Sequence, residues 1–267
     1  MSNNRPAEIM EFVKSALSLL AKLVAAPDAA FAEMDSDKNA GLGRSFFLYG
    51  VYLLVSLAFY ALKPADFPPQ PLYRAMTAHF AIRSWLVAEF GLGSAFLACW
   101  VFLLSIMGPL AARMRISLFC LACAAIALLP AGVLALFKAC GAGGFLLAAT
   151  VFFLFAGLWF MVHTRGFPYR KLLSLLVATS SLDMMCSLAQ IPAVLMRLEA
   201  VYSGLEVAAG LWILVLTVRG VQRFCEIGTE KAAVSVFFSL LAGVIIIVAL
   251  SSAGIIPPGA MELFFPA

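Results

Sequence analysis

Asp183 is the residue of this chain with the most chemistry to offer, because it sits near the middle of the apolar run 172–196. A charged carboxylate at the centre of a membrane helix costs about 2.5–3.5 kcal/mol on insertion scales, so it should not face lipid. Thr179, Asp183, Ser187 and Gln190 are spaced four, four and three residues apart, which puts them on one face of a helix. Ser180 flanks the same stripe. Lys171 lies 12 residues away, about 18 Å along a helix, so no basic partner is within reach on this run. The stripe is therefore expected to face the interior of a helix bundle. Two chemistries fit it. One is a protonated Asp183 hydrogen-bonded to neighbouring helices as polar glue. The other is a proton or substrate site in a water-filled path. Both make Asp183→Leu more disruptive than Asp183→Asn.

Other reactive residues form no constellation. The two histidines, His79 and His163, fall at the edges of different apolar runs, and a triad or a metal site would need them to converge with carboxylates. Cys120 and Cys123 form a CxxC, but no second pair or nearby His completes a metal site, so they read as small apolar helix residues. Gly141, Gly143 and Gly144 suit a turn, and no phosphate loop occurs. Glu89 and Glu206 lie near the ends of apolar runs, where a carboxylate reaches water by snorkelling. The expectation is a protein without enzymatic activity, cofactor or metal.

The elements that must position Asp183 are apolar helices. Hydrophobic residues make up 64% of the 267 residues and charged ones 12%, about half the charge of a soluble domain. Mean hydropathy is +1.02. So few polar groups cannot cover a water-facing surface, so most of the exterior must face lipid. The net charge of +4 is spread over loops and forms no stripe, which argues against nucleic acid as a partner. The apolar runs are continuous rather than alternating, which excludes a β-barrel.

Seven runs approach the roughly 20 apolar residues that cross a bilayer as a helix. They are 46–62, 86–107, 116–137, 144–162, 172–196, 205–218 and 234–250. Five spans are the lower bound, and the sixth is short unless 201–204 are included. The chain is thus expected to be an all-α integral membrane protein with seven transmembrane helices. Residues 1–43 form a cytoplasmic helix and linker, 44–254 the bundle, and 255–267 a short external tail. In 6–26, Ile9, Phe12, Val13, Ala16, Leu17, Leu20, Leu23 and Val24 recur at helical spacing opposite Glu8, Glu11, Lys14, Ser15, Ser18 and Lys22. Two lysines interrupt this run and the start is not basic, unlike a signal peptide. The pattern predicts an amphipathic helix along the cytoplasmic membrane interface or on the bundle, stopped by Pro27, with Phe12, Leu17 and Leu20 buried. A short helix follows at 28–34. In the last span Ser235, Ser239 and Gly243, with Ala242, offer a small-residue face for helix packing.

Loop charges orient the bundle. Seven spans put Arg5, Lys14, Lys22, Lys38 and Arg44 on one side, together with the loops holding Arg113 and Arg115, Arg165, Arg170 and Lys171, and Arg219, Arg223 and Lys231. That is thirteen of the 18 basic residues. The positive-inside rule then places the N-terminus in the cytoplasm and the C-terminus outside. The segments LLPAGVLALF and QIPAVLMRL are alike, from a duplicated hairpin or from shared apolar composition.

The stretch 165–250, with the first third of the chain, resembles the Yip (Ypt-interacting protein) family of membrane proteins. The resemblance is carried by PDAAFAEM with Pro27 and Phe31, by Pro192 closing a span, and by Leu211-Trp212 with Gly220. The loop 222–230 and Lys231-Ala232 entering the last span complete it. Seven spans exceed the five usual in that family by one hairpin, 86–137, and keep its parity. The Asp-Leu-Tyr-Gly-Pro type motif of the eukaryotic members is absent. The resemblance implies a non-enzymatic protein of a bacterial-type cytoplasmic (inner) membrane. Its partners would be the lipid bilayer and a protein at the cytoplasmic face or a second copy. The competing expectation is a transporter of a small molecule, ion or lipid that uses the polar face around Asp183.

Overall fold

The computed structural model describes residues 5–37, 41–64, 67, 86–140 and 168–252. The expected span 144–162, both histidines and the tail lie outside the described residues. Within them the chain is helical, with no strand: α1 (Arg5–Ala25), α2 (Pro27–Ser36), α3 (Leu42–Leu62), α4 (Ser94–Arg113), α5 (Ile116–Cys140), α6 (Tyr169–Ser180), α7 (Asp183–Leu195), α8 (Glu199–Phe224) and α9 (Thr229–Ser252). A wider-wound π-helical segment, Leu86–Gly93, runs directly into α4. Five helical stretches are long and apolar enough to cross a membrane: Leu42–Leu62, Ser94–Arg113, Tyr169–Leu195, Glu199–Phe224 and Thr229–Val248. The run expected to be short, 205–218, belongs to a helix of 26 residues, because residues 199–204 and 219–224 continue it.

One compact unit holds α1–α3, α6, α7 and most of α8. Here α1 packs on α2 and α3, and α3 on α7. Pro27 does more than stop α1. Its fixed φ and missing N–H suit the first turn of α2, which it opens. The α3 residues Ser45, Leu48, Tyr52, Ser56 and Phe59 recur at three-four spacing and form its buried face. Ser45 Oγ lies 2.8 Å from Ser174 Oγ, a buried hydroxyl pair joining α3 to α6. Gly220 of α8 faces Leu175 of α6 so closely that a Cβ there would collide with it.

Two expectations are met only in part in this unit. First, α1 buries Ala16, Leu19, Leu20 and Leu23, whereas Phe12 and Leu17 are exposed. Its apolar sector is about half the helix circumference wide, more than a docking contact of this kind covers. Second, 172–196 is not one helix. The chain leaves α6 at Ser180 and re-enters a helix at Asp183. Thr179, Ser180 and Ser181 turn their hydroxyls onto the carbonyls of Leu176, Leu176 and Ala178. Such local bonds compete with the helical ladder and favour a break where three hydroxyl residues stand together.

The second unit holds α4, α5 and α9. α9 packs on both of the others. Trp100 Nε1 donates to Ser239 Oγ at 2.9 Å in the interior, Gly243 meets the ring of Phe96, and Ser235 Oγ donates to the Lys231 carbonyl. All three small residues singled out in the sequence are buried on α9. Lys231 Nζ donates to the carbonyls of Ala111 (2.7 Å) and Met114 (2.8 Å). A cation at those carbonyls satisfies acceptors that a helix C-terminus leaves unpaired.

Candidate functional site

α7 and α8 are neighbours because a tight turn joins them. Arg197 adopts φ 53°, while Leu198 N–H donates to the Ala193 carbonyl (2.8 Å) and Arg197 N–H to that of Val194 (3.2 Å). This is a Schellman motif with arginine where glycine is usual. The two helices then run back along each other. Gln190 Nε2 donates to the Tyr202 carbonyl at 3.4 Å, and Cys186 Sγ to that of Leu205 at 3.5 Å. Continuing the same pairing inward brings Asp183 to the level of Glu206 and the residues just after it.

The end of α3 closes this group. Lys63 Nζ donates to Tyr202 Oη at 3.0 Å and stands 4.7 Å from the Tyr202 ring centre and 5.8 Å from that of Tyr60. Phe67 meets the Tyr202 ring edge-on, and Phe59, Ala193 and Val194 pack around it. Burial pushes the Lys63 ammonium down to about 8, against the opposing pull of Glu206. Glu206 also interacts electrostatically with Asp183. Glu206 thus couples electrostatically to Lys63 and to Asp183. Asp183 and Glu206 are both exposed, and among the described residues neither carboxyl has a hydrogen-bond or ion-pair partner.

The stripe expected from spacing is divided. Thr179 and Gln190 are buried, Ser180 and Ser187 half-buried, and Asp183 exposed. The hydroxyls of Thr179, Ser180 and Ser187 are occupied with backbone carbonyls. Among the described residues the Asp183 carboxyl makes none of the hydrogen bonds expected of polar glue. From sequence, Glu206 reads only as a carboxylate near the end of an apolar run and Lys63 carries no site role. The signal that could have found them is their opposite charge at span ends on the same expected side of the membrane. Among the described residues no three His, Cys, Asp or Glu side chains are placed to hold a metal.

A depressed lysine predicts a measurable pH profile. In a variant whose other accessible lysines are replaced, amine-reactive labelling of Lys63 is expected to reach half its maximum near pH 8 rather than near the 10.5 of a free lysine. A midpoint at the ordinary value would mean that the amine is hydrated.

A second polar assembly lies where α1, α2 and α3 meet. Arg44 bridges three groups: its Nη1 pairs with Glu33 and donates to Ser15 Oγ (3.1 Å), and its Nη2 pairs with Asp37 at 3.0 Å. Lys22 Nζ holds the other Glu33 oxygen at 2.7 Å, and Lys171 pairs with Asp35 at the surface. The hydrogen bond from Lys22, followed by Arg44, holds the Glu33 carboxyl below its ordinary value, against the effect of burial. Beneath the charges Ala30, Phe31 and Met34 are buried. α2 is thus an apolar plug fastened by an arginine-centred clamp.

Set against family models, curated proteins and solved structures, the chain matches none.

Proposed function

We propose that this chain is a non-enzymatic, seven-span protein of Yip type in a bacterial-type cytoplasmic membrane. Its N-terminus is cytoplasmic and its C-terminus external, and it recruits a protein partner through its cytoplasmic face. The observation that carries the reading is the clamp. Arg44, Lys22 and Lys171 fasten the acids of α2 while Phe31 and Met34 anchor it. A short helix held this firmly at the entrance of a span is a platform, with Asp28 and Ala29 left exposed for a partner. The charge asymmetry of the loops supports the orientation.

Photo-crosslinking in native membranes tests it. A crosslinker at Asp28 or Ala29 is expected to give one discrete adduct, and one at Leu195, on the opposite expected side, none of the same mass. Reporter fusions at Ala267 and within residues 34–43 are expected to report opposite sides. No adduct from α2, with correct membrane insertion, would remove the recruitment reading.

A second reading, transport of an ion or small molecule, is favoured by one observation: two carboxyls in membrane-length helical stretches that interact with each other and have no hydrogen-bond partner among the described residues.

A further inference from the structure

α1 carries more apolar surface than its docking uses. Ala16, Leu19, Leu20 and Leu23 are buried against the rest of its unit. Met10, Leu17 and Val24 form a second line, seven residues apart and therefore one above the other, and they are 60%, 51% and 41% exposed. Successive residues turn about 100°, so this line sits roughly a quarter-turn from the buried one. Beyond it come Glu11, Lys14 and Ser18, all exposed. On the opposite flank Ser15 and Lys22 join the clamp. Around its circumference α1 therefore has four sectors: docked, free apolar, water-facing and ion-paired.

The position of α1 identifies what covers the free sector. Phe12 packs edge-on against Phe47 (5.6 Å between ring centres) and lies where a Cβ added at Gly43 would meet it, while Ser15 accepts from Arg44. All three partners lie in the first two turns of α3, one of the helices long and apolar enough to cross a membrane. α1 is therefore fixed beside the point where α3 enters the bilayer. Phe46, on the same turns of α3, is 50% exposed and extends the apolar surface. Exposed apolar residues on a helix at the mouth of a span are continuous with that span's lipid-facing surface.

We infer that the Met10–Leu17–Val24 line of α1 is seated in the bilayer beside α3, at the boundary between headgroups and acyl chains. Lys14, next around the helix, reaches the phosphates by extending its stem along the apolar line. α1 is then held by two different partners at once, its own bundle through Leu19, Leu20 and Leu23, and lipid through Leu17. The inference rests on α3 crossing the membrane, and goes beyond recruitment in assigning a lipid contact to named residues.

Full-length protein in phosphatidylcholine–phosphatidylglycerol nanodiscs tests it, with an environment-sensitive fluorophore on Leu17→Cys and, separately, on Ser18→Cys, in a background lacking the native cysteines. The probe at residue 17 is expected to be quenched several-fold more by shallow nitroxide-labelled lipid than the probe at residue 18. Aqueous iodide is expected to show the reverse order. Equal iodide quenching at both positions would overturn the inference. So would a probe at residue 17 shielded from both quenchers, because protein would then cover the line. Met10→Cys repeats the measurement two turns away, so that a local disturbance at residue 17 does not decide it. Failure of the protein to enter nanodiscs would instead contradict the membrane-spanning reading.

Discussion

Replacing Arg44 with methionine is expected to release α2. The guanidinium is only 14% exposed in its side chain, and it satisfies Glu33, Asp37 and Ser15 together. Removing one partner from a fully buried ion pair costs about 3–5 kcal/mol, while exposed pairs contribute about 0–1. Glu33 and Asp37 are 27% and 34% exposed, between those limits, so a loss of about 1–3 kcal/mol is expected. Amide exchange over residues 27–36 should then quicken by roughly tenfold to a hundredfold, while α8 is unchanged. Arg44→Lys should fall between, since one ammonium cannot fork to two carboxylates. Acid should mimic the substitution. The Glu33 carboxyl lies below its ordinary 4.5 in the folded chain, so its contribution is whole above that pH and is lost as pH falls through the lower folded value. Exchange in α2 unaffected by Arg44→Met would show that Phe31 and Met34 alone hold the helix.

The helices were legible because length and apolar content alone specify them, and α2, α3 and α9 begin or end within a few residues of where periodicity put them. The break at Ser180–Leu182 was written in the sequence as Thr-Ser-Ser, but an unbroken apolar count masks it, since hydroxyls pass as helix-compatible in a membrane. The exposure of Phe12 and Leu17 on the protein has a different cause. Helical spacing identifies an apolar sector but not which part of it meets protein and which meets lipid, and both environments accept the same residues. Arg44 was counted as a topology charge. Its role as a hub depends on α2 folding back to bring Glu33 and Asp37 to it, which no local pattern in the sequence encodes. Glu206 and Lys63 were missed as members of a site for the same reason, since 143 residues separate them.

Asp183→Leu is expected to raise the stability of the purified protein, by about 1–3 kcal/mol, the reverse of what the spacing suggested. The carboxyl has no hydrogen bond to lose among the described residues, and it faces a like charge at Glu206. An ionised aspartate at mid-span costs about 2.5–3.5 kcal/mol. Asp183→Asn should stabilise less, because the amide keeps its polarity, and Glu206→Gln should act in the same direction by removing the repulsion. Denaturant titration in detergent, with helicity as the readout, ranks the three. A residue retained at a cost to folding points to use rather than to support. In proteoliposomes carrying a pH-sensitive dye, the transport reading expects flux that falls at least tenfold in both Asp183→Asn and Glu206→Gln while their stability rises. Flux unchanged in both variants would remove transport through these carboxyls and leave recruitment as the reading that the clamp supports. A drop in stability with Asp183→Leu would mean that the carboxyl has a partner after all, in which case it is structural glue between α7 and its neighbours.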